Sequence, residues 1–125
     1  MNDPVNGYFA AAETMPVWDE AKALAGVDGD RELLMELASV FITQAEADLE
    51  TLRRAWFQQD ADATAKAAHR LKGAVLQFAA ARAHGACRRL EEAARCGNLS
   101  AAHSFWSETE AEVTALIRAL VALRR

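Results

Sequence analysis

No apolar run in this 125-residue sequence approaches the length of a membrane span, and the N-terminus lacks the basic start and apolar core of a signal peptide. Both absences imply a cytoplasmic protein with no membrane partner. Cysteine is scarce, with Cys87 and Cys96 alone. The two fall in one helical stretch, separated along its axis by about 13 Å, whereas a disulfide needs Cα atoms within about 7 Å. They are therefore expected to stay reduced. His69, His84, His103 and the cysteines show no recognised ligand spacing, so no metal site is expected. The formal charge is −4 and no basic stripe or arginine-rich arm is visible, which argues against a nucleic-acid partner. There is no Gly-rich nucleotide loop and no acidic trio that would hold Mg²⁺. Strand-like alternation, hairpin signals, internal repeats and low-complexity linkers are also missing.

What is present is helix-forming. Apolar residues make up 52% and charged residues 26%, a soluble globular balance in a chain long enough for one core. Trp18 to Ala25 reads as a short helix started near Asp19 and closed by Gly26. A long helix follows from about Asp30 to Phe57, capped by Asp28 or Asp30. Leu33, Leu34, Leu37, Phe41, Ala45, Leu49, Leu52 and Ala55 form its inward side. Asp60 looks like the cap of a central helix from about Ala61 to Ala79. A break near Ala80 leads to a third helix, about Arg82 to Cys96, with Ala83, Ala86, Cys87, Leu90 and Ala94 inward. Gly97 terminates it, and Asn98 or Ser100 starts the last. That helix buries Leu99, Ala102, Trp106, Thr109, Val113, Leu116, Leu120 and Leu123. Short turns between long amphipathic helices imply an all-α, antiparallel up-down four-helix bundle over residues 17–125, with alanines allowing close approach. Residues 1–16 form an N-terminal extension, either a short helix around Tyr8 to Ala12 or a mobile tail.

The central helix has an unusual outer face. Thr64, Ala67, Ala68, Leu71, Val75 and Phe78 cluster on one stripe at about 100° per residue. His69, Gly73 and Leu76 project from the other side, with Lys72 beside them. A surface histidine alone means little. Yet a mid-helix glycine costs about 1 kcal/mol relative to alanine and needs a packing or access reason. An imidazole, a neighbouring ammonium, an unobstructed gap and an apolar contact together suit the docking of a transferable anion.

His69-Arg70-Leu71-Lys72-Gly73 resembles the His-x-Leu-Lys-Gly signature of histidine-containing phosphotransfer (HPt) domains of bacterial phosphorelays. Cys87-Arg88-Arg89-Leu90-Glu91 is similar to that family's next helix, and Arg95-Cys96-Gly97-Asn98-Leu99 to its turn into the last one. Upstream, Leu33-Leu34, Leu37, Phe41, Leu52, Ala55 and Asp60 fit its first long helix and turn. The likeness spans about Val17 to Leu123.

The resemblance implies that His69 accepts a phosphoryl group on Nε2 from a receiver-domain aspartate and passes it to another receiver. It makes Lys72 the stabiliser of the phosphoryl oxygens, Gly73 the source of access and Gln77 a candidate hydrogen-bonding group. Arg70 and Leu76 become docking contacts. A histidine kinase dimerisation helix would carry an acidic residue directly after its histidine, where this chain has Arg70. The expected protein is thus a carrier with no kinase activity and no cofactor of its own, and the receiver brings Mg²⁺. Its partners are receiver domains or a hybrid histidine kinase. A monomer is the default, and the starting Met1 suggests a free-standing protein. A non-phosphorylated adaptor or inhibitor that binds a receiver or kinase is the alternative, disfavoured by the joint presence of His69, Lys72 and Gly73. One departure is Ala79, where the family commonly has glycine; the better helix former predicts a less flexible junction to the third helix.

Overall fold

The structure, a computed structural model, describes residues 15–123. The extension expected for residues 1–16 lies outside the described residues except for Met15 and Pro16, as do Arg124 and Arg125. The elements are α1 (Glu20–Ala25), α2 (Arg31–Phe57), α3 (Ala61–Val75), a 3₁₀ turn (Leu76–Phe78), α4 (Ala81–Arg95) and α5 (Leu99–Leu123). The four long helices close a ring in chain order: α2 packs on α3, α3 on α4, α4 on α5, and α5 returns to α2. With only short turns between them, neighbours run antiparallel. α1 packs against the 3₁₀ turn and the start of α2. No helix among the described residues is long and apolar enough to cross a membrane.

Every helix but α4, which follows Ala80 and has no side-chain cap, starts where a short polar side chain can take an orphan amide. Asp19 accepts from Lys22 N, Asp30 from Leu33 N and Asp60 from Ala63 N, each at 3.0 Å, and Asn98 accepts from Ala101 N at 3.1 Å. Such caps contribute about 1 kcal/mol each. Asp28 caps nothing. It sits at φ 53° in the turn before α2, so Asp30 resolves the two candidates. Gly97, at φ 70°, closes α4 in a conformation that other residues resist.

The core matches the periodic positions closely. Leu34, Leu52, Leu71, Val75, Phe78, Leu90, Leu116 and Leu120 are fully buried, and Ala38, Ala67, Ala68, Ala86 and Ala102 let the helices approach. Leu33 departs from its expected inward position and is 40% exposed, because it lies about 100° around α2 from the buried stripe that Leu34, at 1%, begins. Leu37 is half-buried.

The expected Ala61–Ala79 helix is corrected at its end. Regular α-helix stops at Val75, and Ala79 adopts a left-handed conformation at φ 50°, ψ 45°. Alanine is therefore not extending a helix there. It occupies a sharp turn in which a Cβ costs about 1–2 kcal/mol. The reason is tertiary. Phe78 is fully buried, its ring 5.1 Å from that of Phe41 and 6.3 Å from that of Trp18. Asp19 N reaches Phe78 O at 3.4 Å. Packing of Phe78 and entry into α4 override alanine's helix propensity.

Candidate functional site

The inward stripe of α3 (Thr64, Ala67, Ala68, Leu71 and Val75) is buried, which turns the next residues of the helix outward. The His69 side chain is 59% exposed on that face. Its ring is nonetheless held. Nδ1 lies 2.8 Å from Glu91 Oε2 on α4.

Glu91 is the residue that binds the site together. The buried arc of α4 runs through Ala83, Cys87, Leu90 and Ala94, and Glu91 falls on its edge with its side chain only 5% exposed. A buried carboxylate must be paired, and this one has three partners. Lys72 Nζ lies 2.6 Å from Oε1, and Arg95 Nη2 lies 2.7 Å from the same Oε2 that faces His69. Burial alone would raise the carboxyl's pKa. The hydrogen bonds from Lys72 and His69 and the charges of Lys72 and Arg95 outweigh it and hold the pKa below its ordinary value. Glu91 is therefore an ionised, acceptor-only group at neutral pH. Nδ1 of His69 must carry the hydrogen of that contact, and in a neutral ring the lone pair then sits on Nε2.

Lys72 is one turn past His69, as its spacing predicts, but it leans onto α4 and is three-quarters buried. Gly73 lies on the exposed face, and a Cβ built there meets nothing within 4 Å. The gap opens to the exterior. Leu76 is 57% exposed on the 3₁₀ turn. Gln77 is exposed on the same turn and, with Leu37, Leu76 and Lys22, lines a groove of about 360 Å³. The structure thus brings His69, Lys72 and Gly73 together and leaves Gln77 on the flanking groove. Arg70 is 57% exposed, with Nε 3.8 Å from Asp48 Oδ1 on α2.

Cys87, one turn before Glu91 on α4, is fully buried, and burial pushes its thiol up to about 12. A thiol so far from ionising is no nucleophile. Among the described residues no group of three or more His, Cys, Asp or Glu is placed to hold a metal ion.

The fold and site define a class, an all-α bundle with one exposed imidazole, its Nδ1 held by a buried carboxylate that also pairs with Lys72. The comparisons narrow the class. The family model for the Hpt domain matches residues 36–122. This chain belongs to the Hpt domain family, whose members are histidine phosphotransfer carriers in phosphorelays. The structure is similar to that of histidine-containing phosphotransfer protein B (HptB) from Pseudomonas aeruginosa PAO1, with a TM-score of 0.79 at 28% identity over 89% of this chain and 96% of that one. The HPT domain of the Hpt sensor hybrid histidine kinase from Shewanella shares the fold, with a TM-score of 0.77 at 17% identity over 86% of this chain and 92% of that one. Among curated proteins no sequence matches this chain significantly.

Proposed function

We propose that His69 is the phosphoryl acceptor and that Glu91 sets which of its nitrogens reacts. The observation that carries this reading is an imidazole 59% exposed with Nδ1 held 2.8 Å from a buried carboxylate. Nε2 attacks the phosphorus of an aspartyl phosphate on a receiver domain, the P–O bond to aspartate breaks, and the aspartate leaves as a carboxylate. Attack by Nε2 makes the ring cationic, and the Glu91 carboxylate stabilises that charge through Nδ1–H. The same contact lets a neutral imidazole depart when the group passes to the next receiver's aspartate. No proton needs to be gained or lost in either direction.

Phosphoryl transfer asks chiefly for in-line placement and for neutralising charge on the equatorial oxygens. Lys72 supplies a positive charge one turn from His69, shared between Glu91 and the arriving phosphoryl group. Gly73 leaves the approach clear, while Leu76 and Arg70 contact the partner. Gln77 flanks this surface. Mg²⁺ and the remaining catalysis belong to the receiver, so this chain has no kinase activity and no cofactor. Its partners are receiver domains, including those of a hybrid histidine kinase, met in the cytoplasm by a monomer. The intact His69–Glu91–Lys72 arrangement favours this carrier over an adaptor that merely binds.

Incubation with a receiver loaded with labelled phosphate tests the proposal. Acid-labile, alkali-stable label is expected on the wild type and none on His69→Gln. Lys72→Ala should slow transfer with an unchanged circular dichroism spectrum. Equal labelling of the His69→Gln protein would refute the assignment.

A further inference from the structure

Two acidic residues are buried among the described residues, and they flank the same stretch of α3 from opposite neighbours. Glu91 comes from α4 and Asp48 from α2. Glu91 has its role above. Asp48 does not. It lies at the edge of the buried face of α2, beside Ala45, Leu49 and Leu52, with its side chain 8% exposed. Its Oδ1 accepts from Gln44 Nε2 at 3.1 Å and sits 3.8 Å from Arg70 Nε. Burying a carboxylate for one amide and one loose cation is a poor way to stabilise a helix pair, since an apolar residue of similar volume does as well or better. The arrangement makes more sense by what it does to Arg70.

Arg70 directly follows His69 and is otherwise free to sweep over the surface. Asp48 faces Nε and so draws the guanidinium toward the α2–α3 seam, away from the Lys72–Glu91–Arg95 cluster on the α4 side. The Arg70 side chain remains 57% exposed, and a guanidinium offers a planar fork suited to a carboxylate. The surface continues from there. Leu33, Leu37, Val40, Gln44 and Asp48 recur at three- and four-residue intervals along one stripe of α2. Val40 is 68% exposed and Leu76 57%. Arg70 is thus the charged end of an apolar strip beside the phosphoacceptor, where a partner gains contact from the strip and orientation from the fork.

Resting on the carrier reading, we propose that Arg70, held by Asp48 with Gln44, is a specificity contact. It selects receivers that present an acidic side chain on the docking face beside their phosphate pocket, and Asp48 is its positioning residue. An oriented guanidinium rewards a carboxylate and leaves an uncharged or basic group unpaired, so it discriminates among receivers of one fold. The phosphoryl oxygens remain the business of Lys72.

The test is phosphotransfer kinetics of the full chain against a panel of purified receiver domains, each loaded with labelled phosphate. Arg70→Ala should raise KM about tenfold for the receivers that the wild type prefers, with kcat kept, and flatten the ranking across the panel. Asp48→Asn should do the same in weaker form, add nothing in the Arg70→Ala background, and leave the label on His69. Arg70→Lys should restore only part of the ranking. Arg70 is an exposed residue, so its variants fold and carry the test if Asp48→Asn does not. A uniform fall in kcat over the whole panel would assign Arg70 to the chemistry and overturn the proposal, as would an unaltered ranking or additive effects of the two substitutions. Phosphoramidate, a donor with no protein surface, separates this from the underlying reading. If it and the receivers all fail to label the wild type at His69, the carrier assignment itself is lost.

Discussion

His69 Nδ1 and Glu91 Oε2 stand 2.8 Å apart across the α3–α4 interface, one ring mostly exposed and one carboxylate almost wholly buried. The imidazole is thereby exposed to solvent while its tautomer is set from inside the bundle. Removing the acceptor should free the ring. Glu91→Ala is expected to lower the rate of phosphoryl transfer to His69 by about tenfold to a hundredfold, the cost of losing a carboxylate that orients a metal-binding histidine. Glu91→Gln keeps an acceptor oxygen but not the charge, and should fall between it and the wild type. Stopped-flow transfer from a phosphorylated receiver gives the order; a wild-type rate in Glu91→Ala would remove the carboxylate from the mechanism.

The lowered pKa of Glu91 makes a contribution to stability that depends on pH. The unfolded chain takes up its proton near the ordinary value of 4.5, while the folded chain holds the carboxylate ionised to lower pH. Between those values the unfolded state binds more protons, so the stabilisation is complete above the ordinary value and is lost as pH falls through the folded one. In melts from neutral to acid pH, the advantage of wild type over Glu91→Gln should shrink once pH drops below about 4.5. A constant difference would mean that the carboxylate's charge does not stabilise the fold.

At Gly73 the fold and the proposed docking role can be tested apart. Its missing Cβ would meet nothing within 4 Å, so the native bundle gains no packing from glycine. Gly73→Ala should raise stability by about 1 kcal/mol through helix propensity alone. Gly73→Gln should fold as well yet weaken receiver binding in an isothermal titration. Loss of stability in the alanine variant would show that the gap serves the fold.

Much of this arrangement is readable in the chain. His69, Lys72 and Gly73 lie within five residues of one helix, so their relation is local and the 3.6-residue repeat alone brings them onto a shared side. The caps at Asp19, Asp60 and Asn98 and the terminator Gly97 are local too. Glu91 is different. It lies 22 residues beyond His69, and its meeting with the ring depends on how α4 is rotated and shifted against α3. Its one local signal is an acidic residue between Leu90 and Ala94 at the edge of a buried face, a signal shared by Asp48 beside Leu49. The break after Val75 was hidden for the opposite reason. Ala79 has high helix propensity, and only the burial of Phe78 against Phe41 and Trp18 shows why the chain must turn there.

That strained position yields its own prediction. Ala79 sits at φ 50°, where glycine adopts the conformation without steric cost. Ala79→Gly should stabilise the fold by about 0.5–1 kcal/mol, raising Tm by about 2–4 °C. Differential scanning calorimetry reads this directly, and a drop in Tm would show that the Ala79 methyl stabilises the turn more than its left-handed backbone costs.

The central claim is that Glu91 leaves Nε2 of His69 as the reactive nitrogen. A long-range ¹H–¹⁵N spectrum of the imidazoles, recorded before and after phosphorylation by a loaded receiver, tests it most directly. The expected spectra show the Nδ1–H tautomer first, then a phosphoryl group on Nε2 of His69 with Nδ1–H retained. Phosphate on Nδ1, or on His84 or His103, would contradict the account.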